Sequence, residues 1–129
     1  MALSLTGVTI GADGPRVPLV ILHGLFGSAQ NWRSMAQRLA VDRTVHALDL
    51  RNHGASPWAD AMDYPALADD VAAWCQARGV TRPVVLGHSM GGKTAMVLAL
   101  RRPDLVSAVI VVDIAPVAYR HDHHGLVQA

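Results

Sequence analysis

Only one cysteine, Cys75, occurs in 129 residues, so no internal disulfide can form. Its place in a helix-period segment reads as a small buried hydrophobe in a reducing, cytoplasmic compartment. Charge of one sign is also scarce: 11 Lys and Arg stand against 10 Asp and Glu, a formal net charge of +1. With the arginines scattered, there is no electrostatic footprint for nucleic acid or for an anionic membrane surface. Long apolar runs are missing too, and the stretch around residues 109–112 falls far short of the ~18 residues a spanning helix needs. Met1-Ala2-Leu3-Ser4-Leu5 lacks the basic and then apolar pattern of a secretion signal, so the expectation is a mature chain beginning here. A hydrophobic fraction of 51% with 16% charged residues disfavours disorder and excludes low complexity. A chain of this size makes one modest domain that buries roughly two-thirds of its unfolded surface.

What the sequence does contain is an alternation of short apolar runs with longer segments of helical period, the pattern of an α/β fold. Residues 3–10 read as a first strand ended by Gly14-Pro15. Residues 19–22 are apolar at consecutive positions, as in a central parallel strand covered on both faces. Trp32, Met35, Ala36 and Leu39 fall on one face of a helix, and residues 44–48 form the next strand, followed by the turn-rich Arg51-Asn52-His53-Gly54-Ala55-Ser56-Pro57. A second helix is expected from Asp63 as N-cap, with Pro65 in its first turn, Leu67, Val71 and Trp74 inward, and Gly79 as its stop. Then come a strand at 84–86, a glycine-rich turn at 87–92, a helix over 94–102 and a last apolar strand over 106–112. Right-handed βα connections make these strands parallel and bring their C-terminal ends to one rim. His23-Gly24, Asp49, Ser89 and Asp113 lie just past strands, on the edge where open α/β sheets build their sites.

Gly87-His88-Ser89-Met90-Gly91 between a strand and a helix has the context of a nucleophile elbow, the sharp turn that presents a serine to a base at the positive end of a helix. Three stretches, His23-Gly24-Leu25-Phe26-Gly27-Ser28, Asp49-Leu50-Arg51-Asn52-His53-Gly54-Ala55-Ser56 and Gly87-His88-Ser89-Met90-Gly91-Gly92-Lys93, occur in the order found in α/β-hydrolases. With Val112-Asp113-Ile114-Ala115-Pro116-Val117, the chain resembles most closely the bacterial YbfF-type acyl esterases and their mitochondrial relatives.

The resemblance implies a mostly parallel sheet with flanking helices, residues 1–117 forming the N-terminal part of the core and 118–129 the start of a lid, with the later strands absent. It implies Ser89 as nucleophile, the amides of Leu25 and Met90 as oxyanion donors with Phe26 as a second choice, and Asp113 as the acid of the triad. The substrate implied is a small-molecule acyl ester or thioester. No metal or organic cofactor is implied. The base, a histidine after the last strand of the complete fold, has no counterpart, and so a C-terminal hydrolase segment or a second chain is expected as partner. His23 and His88 are expected to brace loops, as are Asp49 and Arg51. His121, His123 and His124 fall in the lid start and have no Cys or carboxylate at ligand spacing, which argues against a metal site.

Two other readings compete. Residues 87–94 also satisfy the phosphate-binding pattern G-x-x-x-x-G-K-[ST], although that reading leaves the 23–28 and 49–56 loops without a purpose. A truncated scaffold can also serve as a non-catalytic binding module.

Overall fold

A computed structural model describes residues 2–12 and 14–112. Strands β1 (Gly7–Ile10), β2 (Leu19–Leu22), β3 (Val45–Leu48), β4 (Val84–His88) and β5 (Ala108–Val112) form one sheet in the order β1-β3-β2-β4-β5. Helices α1 (Arg33–Leu39), α2 (Tyr64–Arg78) and α3 (Met90–Arg101) connect them, with a short 3₁₀ turn at Ala29–Trp32 before α1. The fold is α/β and mostly parallel. One strand departs from the expectation: β1 is only four residues long and pairs antiparallel with β3, Gly7 opposite Leu48 and Ile10 opposite Val45. No helix connects β1 to β2, so nothing forces a parallel crossover there.

β2 is covered on both sides because its side chains alternate between two apolar layers. Val20 and Leu22 join Leu48, Leu67, Val71, Val85, Ala95 and Leu98 in the layer beneath α2 and α3. Leu19 and Ile21 join Ala36, Val45 and Ala47 beneath α1. Each fully buried aliphatic side chain here contributes about 1.5–3 kcal/mol. Of the residues expected to face inward on α1, Ala36 is buried and Trp32 half-buried, but Met35 is exposed. A seven-residue helix has too narrow a buried stripe for all four.

α2 follows its local signals closely. The Asp63 carboxylate accepts the Ala66 amide, Pro65 sits in the first turn, and Gly79 closes the helix at φ 67°, a conformation glycine adopts without strain. Cys75 is buried within this helix, and burial pushes its thiol up to about 11. Toward β5 the layer beneath α1 thins: Ile110, in register with Leu86, stays 47% exposed. No helix of the described residues is long and apolar enough to cross a membrane.

Candidate active site

The C-terminal ends of β2, β3 and β4 deliver three connections to one rim, and each has a different job. β4 passes into α3 through a single residue. Ser89 has φ 55° and ψ −114°, a strained conformation for a residue with a side chain, of a kind that clusters at functional sites. The turn can be this tight because of two glycines: a Cβ on Gly87 would overlap the Gly91 carbonyl, and one on Gly91 would overlap the Leu22 carbonyl. Ser89 is half-buried, and its hydroxyl neither caps α3 nor finds a hydrogen-bond partner among the described residues. Thr94, the hydroxyl residue of α3, keeps its own within the helix by donating it to the Met90 carbonyl.

This geometry overturns the phosphate-loop reading. α3 begins at Met90, so the stretch that would have to arch around a phosphate is already helix. The hydroxyl of Thr94, which that reading would place on a magnesium ion, is buried and committed to the backbone.

The connection after β2 lies against the elbow. Gly24 sits so close that a Cβ there would crowd the His88 ring and come within 3.3 Å of the Ser89 Cβ. A tight turn follows, closed by the Gly27 amide donating to the Gly24 carbonyl at 3.0 Å, with Phe26 at φ 64°. The Phe26 amide donates to His53 Nε2 at 3.0 Å. Phe26, the second choice for an oxyanion donor, is therefore committed elsewhere. The Leu25 amide has no partner among the described residues. Met90, as the first residue of α3, has an amide with no carbonyl one turn back to receive it. Ser89, Gly24, Leu25, Phe26, Asn31 and Trp32 line a cavity of about 410 Å³ together with His23 and His88. Nothing in the sequence assigned Asn31 or Trp32 to the site, Trp32 being expected only on the inward face of a helix. Asn31 earns its place by accepting the Ser28 amide at 2.8 Å, and the Trp32 ring lies 5.9 Å from that of His88.

The connection after β3 is a frame. The buried Asp49 carboxylate accepts the amides of Ala29 at 2.7 Å and Ala55 at 3.2 Å and the Thr6 hydroxyl at 3.1 Å. Ser56 donates to the Asp49 carbonyl and accepts the Thr6 amide. Arg51 makes a two-pronged ion pair with Asp70 of α2, at 2.7 and 2.9 Å, and reaches the Ala61 carbonyl. The Asp70 bond holds the Arg51 guanidinium above even its usual range. Asp49 and Arg51 thus organise loops, as the sequence suggested. His23 does the same: Nδ1 donates to the Gly24 carbonyl at 2.7 Å and Nε2 accepts the Leu50 amide at 3.0 Å. Burial, reinforced by His53 nearby, pushes its ring below the usual histidine range.

Asp113 lies outside the described residues, as do His121, His123, His124 and the 118–129 segment. Among the described residues, no group of three His, Cys, Asp or Glu is arranged to hold a metal ion.

Comparison with known proteins agrees with this architecture. The family model described as "alpha/beta hydrolase fold" matches residues 17–128. The chain is 51% identical to the sn-1-specific diacylglycerol lipase ABHD11 of Xenopus tropicalis over 109 residues, covering 83% of this chain and 34% of that protein. It is 38% identical to esterase YbfF of Escherichia coli, covering 95% of this chain and 49% of that protein. Among solved structures, a marine microorganism esterase superposes with a TM-score of 0.87 at 43% identity, over 93% of this chain and 45% of its own. The chain spans a third to a half of the length of these relatives.

Proposed function

Since the chain belongs to the α/β-hydrolase fold family, we propose that it is the nucleophile-bearing portion of a serine esterase or thioesterase that works through an acyl-enzyme at Ser89. The observation that carries this reading is the elbow: a strained serine whose hydroxyl has no partner among the described residues, on the wall of a cavity that it shares with Leu25.

In the proposed reaction Ser89 Oγ attacks the carbonyl carbon of an acyl ester, giving its proton to a general base, and the carbonyl oxygen becomes an oxyanion. The Leu25 and Met90 amides, preset by the turn and by the first turn of α3, receive that charge with no rearrangement, and the α3 dipole favours it. The alcohol or thiol then leaves with a proton from the base, and water releases the acyl group by the same path in reverse. Asp113 orients the base, a histidine supplied by a C-terminal hydrolase segment or second chain. The exposed Ile110 on β5 offers such a segment an apolar surface to cover. A single buried thiol at Cys75 suits a cytoplasmic setting.

Without its base a catalytic serine loses on the order of 10⁶-fold in turnover, so this chain alone should hydrolyse a short aryl ester at background rate. Ser89 should still react slowly with a fluorophosphonate, since the oxyanion site persists. Peptide mapping should place the adduct on Ser89, and Ser89→Ala should abolish it. An adduct elsewhere, or none after long exposure, would favour a non-catalytic binding module.

A further inference from the structure

Two imidazoles on the rim exchange places. His23, at the end of β2, grips the loop after β3 by accepting the Leu50 amide. His53, in the loop after β3, grips the loop after β2 by accepting the Phe26 amide. Their ring centroids are 5.0 Å apart, and both side chains are buried. The partners settle the tautomer of each. An amide only donates, so Nε2 of His53 carries no proton; the Arg51 carbonyl only accepts, so Nδ1, at 3.0 Å, carries one. The clamp therefore exists only while the ring is neutral.

The Phe26 end of the clamp has little else to hold it. Phe26 adopts φ 64° and is 81% exposed, so packing does not enforce a conformation that is costly for a bulky residue. Among the described residues, the one backbone bond that closes the turn besides that to His53 is Gly27 to Gly24. A cavity of about 440 Å³, bounded by His53, Leu25, Phe26, Trp58 and Met62, borders the clamp and gives both protons and the loop room to move.

We infer that His53 is a positioning residue for the turn that carries Leu25: neutral, it holds the Phe26 amide and keeps the turn in its active shape, and a proton added at Nε2 releases it. The protonated ring would present two donors, with no acceptor left for Phe26. The charged or titratable groups facing it are His23 across the ring contact and Asp49 and Arg51 in its own loop, Arg51 being neutralised by Asp70 of α2. The turn it grips, Leu25 to Gly27, carries no charge. The inference rests on the reading of Leu25 as an oxyanion donor.

Amide exchange by NMR on the whole chain tests the clamp without requiring turnover. After correction for intrinsic exchange, Phe26 protection should fall about tenfold per pH unit below the His53 titration point, in step with the ring signals. His53→Gln keeps an acceptor but cannot charge, so Phe26 should stay protected at every pH; His53→Ala should lose protection at every pH. The Leu50 amide, held by His23, reports at neutral pH in each variant that the rim is folded, and if the alanine variant fails that control the glutamine variant decides. Phe26 protection that ignores His53 protonation, or that follows pH equally in His53→Gln, would overturn the inference. Phenylboronate affinity at Ser89 should favour His53→Gln over wild type by a ratio that rises about tenfold per pH unit below the same point. A ratio that stays flat would overturn the role at Leu25, whereas no boronate binding by either protein at any pH would count against the serine esterase reading, with Phe26 exchange still deciding the clamp.

Discussion

The loop after β3 and the turn after β4 sit on the same rim and treat their polar atoms in opposite ways. From Asp49 to Ser56 the buried side chains of Asp49, Arg51, His53 and Ser56 are all committed to hydrogen bonds or ion pairs. At the elbow the backbone is strained, and among the described residues the Ser89 hydroxyl, the Met90 amide and the facing Leu25 amide are left uncommitted. The contrast teaches a division of labour. A fully satisfied frame supplies the rigidity that an unsatisfied, reactive centre cannot supply for itself.

If that division is right, substitutions in the frame should cost stability while one at the elbow should restore it. The largest effect is expected from Asp70→Ala, which leaves the Arg51 guanidinium buried with the Ala61 carbonyl as its remaining partner among the described residues. Breaking such a pair costs about 3–5 kcal/mol, and urea unfolding should register it or show the variant already unfolded. Ser56→Ala orphans the Thr6 amide and the Asp49 carbonyl at once and should cost about 1–3 kcal/mol by the same measurement.

At the elbow the sign should reverse. Ser89→Gly removes the side chain that makes φ 55° costly, and the melting temperature should rise, by the equivalent of about 1 kcal/mol, while fluorophosphonate labelling disappears. An unchanged or lower melting temperature would show that the elbow stores no strain.

The smallest effect concerns pH. The folded-state pKa of His23 is depressed by burial, so the unfolded chain binds its proton more readily. Its contribution to stability is complete above the ordinary histidine value of about 6.5 and is lost as pH falls through the lower folded value. Melting temperatures should decline on acidification below that point, and His23→Gln, which retains an acceptor for the Leu50 amide, should flatten the decline.

Much of this architecture could be read from local chemistry. Asp63, Pro65 and Gly79 bracket α2 because capping is decided within a few residues. The consecutive apolar run of β2 betrays a strand buried on both faces. The glycines around Ser89 announced a turn, though not that α3 starts directly at Met90. The antiparallel direction of β1 depends on its pairing with β3, nearly forty residues away, and no nearby residue encodes it. His53 was hidden for the same reason: its bond to Phe26 crosses 27 residues. A faint signal was available, since His-Gly occurs at both 23–24 and 53–54, but only the fold reveals that each histidine grips the other's loop.

The most direct test of the proposed chemistry is a crystal structure of the chain with a phosphonate bonded to Ser89 Oγ. The phosphoryl oxygen should lie about 2.7–3.1 Å from both the Leu25 and Met90 nitrogens, with Phe26 still bound to His53. An oxygen turned to solvent, or one that takes the Phe26 amide from His53 in place of Leu25, would contradict the assignment of this rim as an acyl-transfer site.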